Sequence, residues 1–146
     1  VVGQIGMGQH GTAFGHAGMR MGPAICYEGL YGDFYGDFVR RGAQFMAIIS
    51  NDGWWGDTPG YKHLFTISRL RAVEHRRAIA RSANTGMSGF ISARGDIGET
   101  LGWEKRGVIS AAVPLNSELT FYTRYGDYLG RISEYLTLLC VLYYIA

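Results

Sequence analysis

Phe45-Met46-Ala47-Ile48-Ile49-Ser50-Asn51-Asp52-Gly53 decides the fold. Six mostly β-prone apolar residues predict a buried strand, and Asn51-Asp52-Gly53 ends it with turn chemistry. Upstream, Met21 to Cys26 is a second short apolar run, so Cys26 falls at the carboxyl end of a strand. Between the two, Phe34, Phe38 and Val39 recur at helical intervals over Tyr31 to Arg41, and Gly42 is placed to stop that helix. Downstream, residues 61–80 hold neither Gly nor Pro; Leu64, Ile67, Leu70 and Val73 predict one apolar side, with Arg69, Glu74, Arg76 and Arg77 as polar positions. The period then changes. Ala80 to Ala83 and Met87 to Ala93 read as strands around Asn84-Thr85-Gly86, Arg94-Gly95-Asp96 as a hairpin-type turn, and Val108 to Val113 as a closing strand. Strand-helix-strand-helix followed by a β meander is an α/β layer pattern.

Composition narrows the function. The 146 residues fit one ordinary domain, and a net charge of +2 with interspersed acids gives no electrostatic footprint for nucleic acid. The 22 glycines have no fixed period and read as turns. Val1-Val2-Gly3 lacks a signal-peptide pattern and reads as a cut edge; Gly- and Met-rich residues 3–22 read as loop with at most a short strand. Tyr135 to Ala146 is uncharged and apolar to its last residue, as if a spanning helix were cut short, although twelve residues cover only about 18 Å of a bilayer core of about 30 Å. A buried C-terminal helix is the equal alternative. Tyr122, Tyr125, Tyr128 and Tyr135 would form an interfacial belt if the tail enters lipid.

Two distant cysteines, Cys26 and Cys140, make neither a disulfide framework nor a metal motif, and His10, His16, His63 and His75 lack ligand spacing; no metal and no cofactor is expected. Cys140 reads as a buried apolar thiol. Cys26 differs because Tyr27-Glu28-Gly29 follows it. A strand-to-loop turn can raise a nucleophile above a sheet edge and free the next backbone N–H for an oxyanion. A carboxylate alone does not favour a thiolate, so this chemistry calls for a lysine, arginine or histidine nearby. At the same edge, Asn51, Trp54 and Trp55 form a polar, tryptophan-bearing loop suited to a substrate or membrane contact. The arginines at 69, 71, 76, 77 and 81 read as a solvated or paired face, with phospholipid head groups as the lesser reading, and Asn84 as a backbone tie.

Ile25-Cys26-Tyr27-Glu28, Ser50 to Gly56, His63, Arg69 to Glu74, Arg81 to Gly86 and Leu119 to Asp127 stand in the order and spacing of the apolipoprotein N-acyltransferase family, which the chain resembles from about residue 20 to its end. The resemblance implies part of a nitrilase-like α-β-β-α sandwich in residues 1–128 and the start of a C-terminal transmembrane helix in 129–146. It also implies an enzyme of the bacterial inner membrane, multi-pass, with its catalytic domain on the periplasmic side. Its partners would be a phospholipid acyl donor, a diacylglyceryl-apolipoprotein acceptor and the membrane. By the same resemblance, Cys26 is the thioester-forming nucleophile, the Tyr27 N–H joins an oxyanion site and Glu28 is a supporting carboxylate. The family's lysine and general-base glutamate precede the nucleophile, whereas Lys62 and Lys105 both follow it, so this polypeptide is expected to be an inactive fragment. A soluble nitrilase-type amidase and a non-catalytic membrane-anchored module with this fold are the competing expectations.

Overall fold

The computed structural model describes residues 8 and 10–145; the reading of Val1 to Gly3 as a cut edge, and most of the loop reading over residues 3–9, lie outside them. Six strands form one mixed sheet in sequence order: β1 (Phe14–His16), β2 (Met19–Ile25), β3 (Phe45–Ser50), β4 (Ile79–Ala83), β5 (Ser88–Ile91) and β6 (Ile97–Leu101). The central pairs β2–β3 and β3–β4 are parallel, crossed over by helices α1 (Gly32–Arg40) and α2 (Pro59–His75), and the outer pairs are antiparallel. Parallel pairing requires such long crossovers, which explains why helices separate these strands. Two further helices follow, the short α3 (Phe121–Tyr125) and the longer α4 (Tyr128–Ile145).

Alternation along the strands decides which face is covered. Ala24, Met46, Ile48, Ile79 and Ile91 point into a core shared with Tyr35, Phe38, Val39, Phe65 and Ala72 of the helices. The opposite face carries Ile25 and Ile49, each about half exposed. The described residues therefore form one sheet with a helical layer on one side; the second sheet of the expected four-layer sandwich is not among them.

The predicted apolar side of α2 is corrected. Leu70 and Val73 are exposed, and the buried residues are Tyr61, Leu64, Phe65, Ser68, Arg71, Ala72 and His75. That stripe keeps helical spacing, but polar and small members conceal it from a hydrophobicity reading. Thr58 caps the helix by accepting the Gly60 N–H, with Pro59 in the first turn. Arg77, expected on a polar face, is 1% exposed and donates to the carbonyls of Ala43 and Glu118, tying α2 to distant loops.

Residues 108–113 do not form the expected closing strand; the place beside β5 is taken by β6, reached through the Arg94-Gly95-Asp96 turn. The expected start of a transmembrane helix in 129–146 is also corrected: α4 forms, but no helix among the described residues is long and apolar enough to cross a membrane. Its first turns contain Gly130, Arg131, Ser133 and Glu134, and the residues from Tyr135 to Ile145 span about 16 Å at 1.5 Å each. Cys140 on this helix is exposed rather than buried, because α4 packs no side chain into the core.

Candidate functional site

The strands β2, β3 and β4 end at one edge. Ile25 pairs with Ile49 and Ser50 with Ala83, so Cys26, the Ser50–Trp55 segment and Asn84 leave the sheet side by side. The carboxyl edge of parallel strands is where α/β proteins gather ligands.

Cys26 opens a 3-10 turn over Cys26–Leu30 and has φ +52°. Left-handed backbone is unfavourable for a residue with a Cβ, so this turn holds the cysteine in a conformation it would not choose alone. The thiol is half-buried. Glu28 reaches back to accept the Ile25 N–H at 2.7 Å, satisfying the last peptide of the strand and closing the turn around the cysteine. Its carboxylate thus braces the backbone on either side of Cys26. Tyr27 points outward, about half exposed.

Beside Cys26 lies a chain of polar groups. The Ser50 Oγ is 3.8 Å from the Cys26 Sγ and donates to Asp52 Oδ1 at 2.6 Å. Asp52, fully buried, is gripped by both terminal nitrogens of Arg81 at 2.9 and 3.0 Å. Arg81 is itself buried, donates also to the Met87 carbonyl, and lies over the Phe65 ring. Buried charges persist when paired and hydrogen-bonded, and the bidentate fork is the strongest such arrangement. Gly86 packs against the Asp52 carboxylate with no room for a Cβ, so a side chain there would displace the pair.

The remaining predicted residues are less tightly held. The Asn51 side chain accepts the Gly53 N–H at 3.2 Å, the local turn expected of Asn-Asp-Gly. Trp55 lies on Gly60 at the start of α2, whereas Trp54 is 80% exposed with its ring in solvent. Among the described residues, no hydrogen bond or ion pair joins a lysine, arginine or histidine to the thiol, whose contact is with Ser50. Arg81 spends its charge on Asp52, and Lys62 on α2 sits 5.7 Å from the centre of the Tyr61 ring. Ser50 and Asp52 have no assigned role in the sequence reading, and Arg81, expected on a solvated or paired face, is buried and paired with Asp52. The available signal was an arginine inside the otherwise small and apolar strand Ile79–Ala83, which demands a buried carboxylate.

A carbon-nitrogen hydrolase family model matches residues 4–119. The apolipoprotein N-acyltransferase of Chlorobaculum tepidum is 44% identical over 109 residues, covering 75% of this chain and 20% of that protein. The enzyme of the same name from Rhizobium meliloti is 43% identical over 97 residues, covering 66% and 18%. The chain thus spans about a fifth of the length of these curated relatives. Among solved structures, an amidase from Nesterenkonia sp. superposes with a TM-score of 0.58 at 16% identity, covering 88% of this chain and 49% of the other, a likeness of fold. With the match extending over most of its residues, the chain belongs to the carbon-nitrogen hydrolase family.

Proposed function

We propose that this chain is part of an N-acyltransferase that moves a fatty acyl chain from a phospholipid to the N-terminal cysteine amine of an apolipoprotein. The observation that carries the reading is the 44% identity to an apolipoprotein N-acyltransferase over 109 residues of this chain. Its position supports the chemistry: a half-buried thiol on a left-handed turn at the carboxyl edge of the sheet.

In this reading the Cys26 sulfur, once deprotonated, attacks the acyl ester carbonyl. The ester C–O bond breaks, the lysophospholipid oxygen takes a proton, and a thioester remains on Cys26. The α-amine of a diacylglyceryl-cysteine then attacks the thioester, the C–S bond breaks, an amide forms and the thiol is restored. The Tyr27 N–H follows the nucleophile and serves the oxyanion. Glu28 acts through the backbone it braces, while Asn51, Trp54 and Trp55 face the substrate. Residues 1–128 belong to the catalytic domain, which the reading places on the periplasmic side of the bacterial inner membrane. The proton-handling lysine and glutamate are supplied by other parts of the intact protein. No cofactor or metal enters these steps.

The test is mass spectrometry of the intact protein after incubation with phospholipid vesicles. An acyl adduct on the Cys26 peptide is expected, released on adding a diacylglyceryl-cysteine peptide and lost in Cys26→Ala. An N-acylated peptide product formed without that adduct would overturn the assignment.

A further inference from the structure

The polar chain beside Cys26 has a direction, set by counting hydrogens. A serine hydroxyl has one hydrogen. Asp52 is held between two guanidinium nitrogens as an acceptor, and its 2.6 Å contact with Ser50 is short enough to claim that hydrogen outright. The Ser50 oxygen therefore turns lone pairs, not a proton, toward the sulfur 3.8 Å away. At that contact the only hydrogen left to share is the one on Cys26.

We propose that Ser50, its own proton committed to Asp52 and Asp52 fixed by Arg81, accepts the S–H of Cys26 and aims the thiol. Ser50 is thus a positioning residue for the sulfur. This rests on reading Cys26 as the reacting thiol and adds how it is held between turnovers. Three features of the fold make the arrangement rigid. The Asp52–Arg81 fork is buried at both ends. Gly86 closes over the carboxylate without space for a Cβ. The Ser50 carbonyl accepts the Asn84 N–H at 3.2 Å, fixing the serine backbone to the end of β4. The Cys26 turn, braced by Glu28, brings the sulfur to this fixed acceptor and leaves its far side for a base and a substrate. The same oxygen has no hydrogen to offer a thiolate, so the negative charge must be met from that far side. Ser50 would then set which way the proton faces and Glu28 where the backbone sits.

The S–H stretching band of Cys26, isolated by infrared difference spectroscopy of the intact protein against Cys26→Ala, reads the contact directly. Ser50→Ala removes the hydroxyl and leaves both Asp52–Arg81 bonds in place. It is expected to shift the band to the higher frequency of an unbonded thiol, with an unchanged circular dichroism spectrum. Ser50→Thr keeps the hydroxyl and is expected to hold the band at the parent position. A band unmoved in Ser50→Ala, or moved equally in both variants, overturns the inference. The acyl adduct on Cys26 is a separate readout: its absence from the parent protein defeats the acyl-transfer reading and leaves the S–H result standing.

Discussion

Among the described residues, two guanidinium–carboxylate pairs are withdrawn from solvent, one buried at the sheet edge and one partly buried in the helical layer beneath α3. Arg81 meets Asp52 with both terminal nitrogens, and the two side chains are 2% and 0% exposed. Arg71 meets Glu74 through a single contact at 3.1 Å, with side chains 9% and 18% exposed. In the second pair Glu74 Oε2 and Arg71 Nε are buried without a hydrogen-bond partner, as is the neighbouring His75 Nε2, 3.9 Å from Glu74 Oε2; in the first, only Arg81 Nε is left over. The difference follows from chain geometry. Residues three apart on one helix lie side by side and cannot present fork to carboxylate face on. A residue just beyond β3 and another on β4 can. Long-range placement makes the sheet-edge pair a rigid anchor, whereas the helical pair stays imperfectly satisfied: burial makes the Glu74 carboxyl a weaker acid, its pKa held above the usual carboxylate range against the pull of Arg71.

Removing one member of each pair should widen this contrast. Asp52→Ala strands a buried guanidinium and is expected to cost about 3–5 kcal/mol in urea unfolding, enough to threaten the native state. Glu74→Ala should cost about 1 kcal/mol, since its partner is already only half engaged. Equal losses would mean that bidentate geometry contributes nothing here.

Acid should find the helical layer first. Burial, and next the charge of Arg71, push His75 down to about 3, with its Nδ1 2.9 Å from the Thr123 Oγ1. A histidine more easily protonated unfolded than folded contributes stability that is complete above about pH 6.5 and is lost as pH falls toward 3. Between pH 7 and 5 the loss is about 2 kcal/mol, at roughly 1.4 kcal/mol per pH step below 6.5. Glu74 works the other way, because its folded carboxyl takes a proton more readily than the unfolded one, but its shift is smaller and it is the more exposed group. Urea midpoints at the two pH values should differ in the parent protein and converge in His75→Phe. A slope that survives this substitution would move the acid sensitivity elsewhere.

The two regions also differ in how far the sequence reveals them. The strand Phe45–Ser50, the Asn51 turn and the placement of Cys26 at a strand end follow from apolar runs bounded by turn residues, which are local signals. Face assignment on α2 does not follow, because Ser68, Ala72 and His75 are buried by contacts that other segments bring to them. The same holds for the site. Cys26 and Glu28 are adjacent enough in sequence to suggest chemistry, but Ser50, Asp52 and Arg81 become one unit only when β3 and β4 align. Residues 108–113 show the converse failure: strand-like composition without a neighbouring strand to pair with gives no strand.

A finer comparison uses the backbone. Cys26 at the sheet edge and Arg76 at the end of α2 both adopt left-handed φ, +52° and +51°. Such a conformation costs a residue with a Cβ about 1–2 kcal/mol, and glycine relieves it while adding back about 0.5–1 kcal/mol of unfolded-chain entropy. Arg76 is an exposed helix cap whose bonds to Asn116 and Arg77 run through its carbonyl, so Arg76→Gly should stabilise by about 0.5–1 kcal/mol. Cys26→Gly releases the same strain but gives up the sulfur contact with Ser50, and should gain slightly less. If both variants gain equally, the left-handed turn at Cys26 stands without help from its side chain, and its cost is set by where the thiol must point. If Cys26→Gly instead loses stability, packing of the sulfur, not the course of the chain, holds the turn in place.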